Sequence, residues 1–278
     1  MFSPRQIIFT AVDDLFLNPT GEDWEAASDA FAKMGRQGIP LILCSSGTRV
    51  QIDPVRRTIQ HGHPFMTESG SGLFIPDGYF NLRLEGATRT GRTFCVPFAR
   101  PQAEAAAALP EIAKEAGASV VGFSQMSLRE IAQNSGLSTQ DAELYRQREF
   151  GELFFFAGET EKTTKRFLQV AQRNGWEALP GAPFWELRGP LKQNAANGVQ
   201  YLMAIFRKAL HGRQRSVGIG GSAADLYFLS ITDVTVVLPP EAGDPVDGRL
   251  SRLPRAVRSE RGGLSGWSEA ILRLLERR

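Results

Sequence analysis

Near the start of the chain, apolar residues gather into short unbroken runs. QIIFTAV over residues 6–12 and IPLILC over 39–44 read as buried strands, and residues 23–37 between them repeat apolar positions at helical spacing. The pattern predicts strand, amphipathic helix, strand, with Gly38 stopping the helix. Such a βαβ opening builds a parallel sheet whose ligands sit beyond the carboxyl ends of its strands. Three strand ends therefore draw the eye. One is residues 11–15, with adjacent Asp13 and Asp14; another is SSGTR over 45–49; the third is SVGIGGSAADLYFL over 216–229, where a short strand runs into glycines and then a helix. Small polar loops of this kind meet anions with hydroxyls and backbone N–H groups.

The middle of the chain has a different texture. Helices are expected over 101–118, 127–135, 138–147 and 160–174, and strands over 152–157 and 183–187, with Ser138 and Asp141 spaced as a helix cap. Phe154, Phe155, Phe156, Phe184 and Trp185 sit mainly at alternating strand positions, which fits core residues better than a contact surface. Helical spacing returns over 197–211; a Gly-, Pro- and Arg-rich stretch over 241–263 then leads to a last helix over 266–275. The fold class is α/β: a Rossmann-like parallel-sheet core with an inserted α+β segment. The divisions fall at 1–84 for the first part of the core, 85–189 for the insert and 190–278 for the rest of the core.

Composition narrows the function. The chain has 278 residues, 42% hydrophobic and 22% charged, with a formal net charge of +2, which is too balanced for nucleic-acid binding as a main role. Apolar runs are too short to cross a membrane, and the first twelve residues read as a strand, not as a leader. Two distant cysteines, Cys44 and Cys95, give neither a disulfide framework nor a thiolate metal site, and fit a reducing cytoplasm. His61 and His63 flank Gly62 with no acidic or Cys neighbour at ligand spacing, so a surface loop is expected there.

Motif by motif, the chain resembles the haloacid dehalogenase superfamily and, within it, the mannosyl-3-phosphoglycerate phosphatase family. FTAVDDLFL is similar to the family's strand ending in Asp-x-Asp-Gly-Thr-Leu-Leu, LILCSSGTR to its Ser-Ser-x-Thr-Arg motif, and PFMTESGSGLFIP to its Pro-Phe-Ile-x-Glu-Asn-Gly stretch. GLSTQDAELYRQREFGELF resembles the cap signature, PGAPFWELRGPLKQNAANGV the cap end and third motif, GIGGSAADLYFL the Gly-Asp-Ser-x-Asn-Asp motif, and SERGGLSGWSEAIL the terminal segment. The resemblance implies a core of haloacid dehalogenase type with the insert as cap. It also implies a chemistry in which one Asp attacks phosphorus, a second Asp two residues on acts as acid and base, and magnesium is held by acidic ligands.

Against that pattern the losses are systematic. The nucleophile position is Ala11, Asp13 holds the acid/base position, Ala195 falls at the lysine with Lys192 out of register, and Gly221 and Ala224 replace an Asp and an Asn, leaving Asp225. Ser45, Ser46 and Arg49 remain as phosphate contacts, Arg148 and Glu152 match the cap's substrate-facing segment, and only Asp13 and Asp225 remain to hold magnesium, which is expected to bind weakly or not at all. A surface salt bridge is the plain alternative for Arg148 and Glu152. The expectation is a noncatalytic relative that binds a phosphorylated small molecule or a protein partner. The alternatives are a hydrolase using Asp13, Asp14, Glu68 or Asp225 without an aspartyl phosphate, and a regulatory subunit of an active enzyme.

Overall fold

The structure, a computed structural model, describes residues 5–13, 15–17, 21–158, 160–181, 184–190, 198–240, 246–254 and 256–276. The first elements are β1 (Gln6–Ala11), α1 (Gly21–Gln37), β2 (Leu41–Cys44), α2 (Arg49–Thr58), β3 (Phe65–Thr67), β4 (Gly72–Pro76), β5 (Thr88–Thr90) and β6 (Thr93–Pro97). Then come α3 (Gln102–Ala116), β7 (Val120–Gly122), α4 (Leu128–Ser135), α5 (Thr139–Arg146), β8 (Glu152–Phe156), α6 (Glu161–Arg173), β9 (Glu177–Pro180) and β10 (Trp185–Arg188). The chain closes with α7 (Gly198–Ala209), β11 (Arg215–Gly220), α8 (Leu226–Leu229), β12 (Val234–Val237), β13 (Ala256–Arg258) and α9 (Gly263–Glu276).

Among the described residues, nine strands form one sheet in the order β13-β12-β11-β1-β2-β3-β4-β6-β5. From β13 to β3 the pairs are parallel, with Ala11 opposite Cys44 and Thr10 opposite Ile219. Beyond β3 the pairs turn antiparallel. The large sheet thus continues past residue 84, because Cys95 and Val96 of β6 are buried against β4.

A second, antiparallel sheet has the order β7-β8-β10-β9. On one face Phe154 and Leu187 pack against α3 and α6; on the other Leu153 packs with Phe123, Phe184 and the helices α4 and α5. Helices cover both faces, so the insert's aromatics serve as core. One expectation fails here and another is modified. Arg49 does not end a loop but begins α2, because Thr48 and Gln51 form a capping box. His61 and His63 do lie in a loop, between α2 and β3, but are partly buried and not fully at the surface, with His61 Nε2 2.8 Å from the Leu41 carbonyl.

The loop after β1 is fixed from beneath. Phe16 is buried, its N–H donates to the Val12 carbonyl (2.8 Å), and its ring meets Trp267 of α9 edge-on at 5.3 Å. Trp267 is fully buried and donates its indole N–H to Thr10 Oγ1 in β1 (2.9 Å), satisfying a polar atom of each residue in the core. Helix α9 therefore holds both the strand and the loop that follows it.

Two glycines test this packing. A Cβ at Gly266 would lie 1.9 Å from the Arg261 carbonyl oxygen, whereas one at Gly35 in α1 would meet nothing within 4 Å. Gly266→Ala should therefore lose about 2 kcal/mol or more of unfolding free energy. Gly35→Ala should gain up to about 1 kcal/mol, because alanine is the better helix former. Urea denaturation of the two variants should move the midpoint in opposite directions.

Candidate functional site

Three loops converge at the carboxyl ends of β1, β2 and β11, the strand neighbours at the centre of the sheet. Strand β1 ends in the buried methyl group of Ala11, and Asp13 stands two residues on. The Asp13 carboxylate turns into the loop after β2. Its Oδ1 accepts a short hydrogen bond from Ser45 Oγ, and its Oδ2 accepts from Ser46 N (2.7 Å) and Ser46 Oγ (2.6 Å). Ser45 Oγ also accepts from Gly47 N (2.9 Å), so the loop is drawn closed around its own donors.

On the third loop, Asp225 is buried, and its Oδ2 accepts from Gly221 N (3.0 Å), Ser222 N (2.9 Å) and Ser222 Oγ (3.1 Å). That is a capping arrangement at the turn leading into α8. Burial pushes its carboxyl up to about 7, with the nearby Asp13 charge adding to the rise and the Ser222 and Gly221 donors opposing it. A Cβ at Gly221 would lie 2.9 Å from the Leu238 carbonyl oxygen, so the loop has settled onto the bare glycine. Behind it, burial raises both the Cys44 thiol and the Tyr227 phenol, and the charges of Asp225 and Asp13 add to both.

The insert reaches this site through charges. Glu68, Ser69 and Gly70 all have left-handed backbone, with φ of 50, 54 and 83°. The turn aims the fully buried Glu68 carboxylate at the insert, where it accepts from Glu149 N (2.8 Å) and Phe150 N (2.9 Å). Arg148 lies 3.4 Å from Glu68 and 2.8 Å from Glu186 of β10. Burial pushes Glu68 up to about 7, against the pull of Arg148 and the two amides. Arg49 Nε donates to Glu149 Oε1 (2.7 Å), and Thr48 Oγ1 donates to the Leu144 carbonyl (3.0 Å).

The sequence-predicted residues therefore separate. Asp13, Ser45 and Ser46 bond to one another, with Asp225 close enough to feel the charge of Asp13. Arg49 and Arg148 are committed to the joint with the insert. Glu152 is buried inside the insert, accepting from Gln102 Nε2 and from Ser124 N (2.7 Å). The surface salt bridge between Arg148 and Glu152 is not formed, because both are buried and each has other partners. Asp14, Lys192 and Ala195 lie outside the described residues. Sequence reasoning missed Tyr227, whose ring fills the space over Gly70, and Glu186; an aromatic two residues after Asp225 was the available signal for the first.

No family model matches the chain. Among curated proteins it is 27% identical to the glucosyl-3-phosphoglycerate/mannosyl-3-phosphoglycerate phosphatase of Persephonella marina over 274 residues, covering 97% of each chain. The protein of the same description from Methanococcoides burtonii is 26% identical, with 98% of this chain and 97% of that one covered. The chain is thus similar to mannosyl-3-phosphoglycerate phosphatases over nearly its whole length. Solved structures show its fold to be of the haloacid dehalogenase type. A phosphatase of the haloalkanoate (HAD) enzyme superfamily from Bacteroides thetaiotaomicron superimposes with a TM-score of 0.63 at 13% identity, covering 97% of this chain and 95% of that one. The sucrose-phosphatase of Synechocystis, solved with sucrose and phosphate, gives 0.55 at 12% identity over 97% and 98%.

The raised carboxyl of Asp225 has a thermodynamic signature. Its pKa rises from the usual 3.8 to about 7 on folding, so the folded chain holds a proton that the unfolded chain has lost within that range. The stability it contributes is complete below about pH 4, declines as pH rises to about 7, and is level beyond. Chemical denaturation across pH 4–8 should show this decline, to which Glu68, also raised to about 7, adds its own share, and Asp225→Asn should make it shallower. An unchanged slope in the variant would contradict the assignment.

Proposed function

We propose that this chain is a noncatalytic mannosyl-3-phosphoglycerate phosphatase-like protein, one that keeps the fold and the insert as a cap but does not turn over phosphate esters. The observation that carries the reading is the end of β1, where the methyl group of Ala11 stands at the position that the resemblance gives to the nucleophile. A methyl group has no lone pair with which to attack phosphorus. Nucleophile, lysine and metal ligands act as one unit, and losing such a unit costs on the order of a million-fold in rate, about 8 kcal/mol of barrier.

Asp13 supports the same reading. An acid/base group needs a free oxygen facing substrate, and its two carboxylate oxygens accept three hydrogen bonds from Ser45 and Ser46. These donors of the second loop are also those that would receive a phosphoryl group, so the chain supplies its own anion to them. A ligand such as the glycosyl-phosphoglycerates of the relatives' names would have to displace Asp13.

Magnesium fits poorly. A hard cation takes about six oxygen ligands at short range, mostly anionic or carbonyl. Among the described residues no cluster of three or more His, Cys, Asp and Glu side chains could hold an ion, and the carboxylates of Asp13 and Asp225 already accept from N–H and O–H donors. The chemistry assigned here to the chain's own residues is therefore binding and not phosphoryl transfer.

Phosphate release from mannosyl-3-phosphoglycerate, glucosyl-3-phosphoglycerate and a panel of sugar phosphates, with and without magnesium, tests the proposal. The expected result is no release above that of Asp13→Asn under any condition. Magnesium-dependent release that disappears in Asp13→Asn would overturn it.

A further inference from the structure

The opposite end of the sheet carries a second polar cleft. Arg5 precedes β1, Arg213 and Arg215 flank Gln214 where the chain enters β11, and Asp233 and Val234 lead into β12; with Val257 of β13 they line a space of about 480 Å³. β1 runs six residues from this end to the candidate site, so the two lie roughly 20 Å apart along the strand.

The cleft has an excess of positive charge. Its lining has three arginines and one carboxylate, and among the described residues none of the three arginines makes an ion pair within 4 Å, although Arg213 and Arg215 are near enough for their charges to act on Asp233. Asp233 uses Oδ2 to accept from Ser216 N and Oγ, both at 2.8 Å. Burial acts to raise this carboxyl, but the Ser216 donors and the charges of Arg213 and Arg215 outweigh it and hold it below its usual range. Three guanidinium groups around one space repel each other unless an anion lies between them, and their forked donors match phosphate oxygens.

The lining adds a second, independent feature. Gln214 is only 5% exposed, and its side-chain oxygen has no hydrogen-bond partner. Buried acceptors are ordinarily satisfied, so this one calls for an O–H or N–H donor. Beside the arginines a second pocket of about 170 Å³ continues from Arg215 along Val234, Val257 and Leu274, with Arg258, Glu269 and Arg273 also in its lining, giving room for the body of a small polar molecule.

We propose that this cleft binds a phosphate monoester of a compact polyol, with Arg5, Arg213 and Arg215 holding the phosphate and the Gln214 side-chain oxygen accepting from a hydroxyl. The site is distinct from the strand-end site, and the inference does not depend on whether the chain is catalytic.

Calorimetry on the full chain, with glycerol 1-phosphate, inorganic phosphate and glycerol as probes, tests it. Glycerol 1-phosphate should bind saturably with millimolar affinity or better and more tightly than inorganic phosphate, while glycerol alone should give no heat of binding. The double variant Arg213→Gln, Arg215→Gln, at exposed positions, should weaken binding about tenfold or more with an unchanged melting curve. Ser46→Ala at the strand-end site should leave it unaltered. Equal affinity for phosphate and its ester would remove the role given to Gln214. No saturable binding, or binding lost in Ser46→Ala and kept in the double variant, would overturn the site.

Discussion

The Asp13 carboxylate, seated on the hydroxyls of Ser45 and Ser46 and on the Ser46 amide, ties the loop after β1 to the loop after β2. Hydrogen bonds to an ionised acceptor are about twice as strong as neutral ones, and these lie in a partly buried place where water competes poorly. Below them, Phe16 and Trp267 fix the first loop on α9; beside them, the capping box of Thr48 and Gln51 fixes the second. Both loops are held by the core and then by each other. Asp13 therefore spends its hydrogen bonds within the protein.

The same constraint extends to the insert. Glu68 sits in a left-handed turn whose neighbouring residues bond back to the second loop, since Glu68 N donates to the Gly47 carbonyl (2.9 Å) and Ser69 N to the Ser45 carbonyl (3.0 Å). The position of the Ser45 loop therefore sets where the Glu68 carboxylate emerges, and that carboxylate receives Arg148 and two amides of the insert. Removing one partner from a buried charge cluster of this kind typically costs about 3–5 kcal/mol, because the remaining charge is left without compensation. Arg148 is therefore a structural tie across the joint, which accounts for its burial at the position where the family resemblance points to substrate.

Much of the core was legible because burial writes itself into composition: β1 and β2 are continuous apolar runs, and Gly38 takes up the positive φ that ends α1. Helix α2 was not, since its start depends on a side chain, Thr48, and its interior holds Pro54. Strands of three residues such as β3 and β5 owe their place to neighbours in the sheet and carry too little pattern of their own. In the site, the three loops at the strand ends were readable from spacing and motif. The partners were not: Arg148 meets Glu68 and Glu186 across long stretches of sequence, and neither distance leaves a local trace.

If the polar groups of the strand-end site satisfy one another, they leave no cavity of oxygen ligands for a hard cation. Titrating the protein with manganese(II) while following the electron paramagnetic resonance signal of the free ion tests this most directly. The signal of the free ion should persist, with no site tighter than about 1 mM, in the wild type and in Asp13→Asn alike. Uptake of one ion per chain at lower concentrations, abolished by Asp13→Asn, would contradict the account.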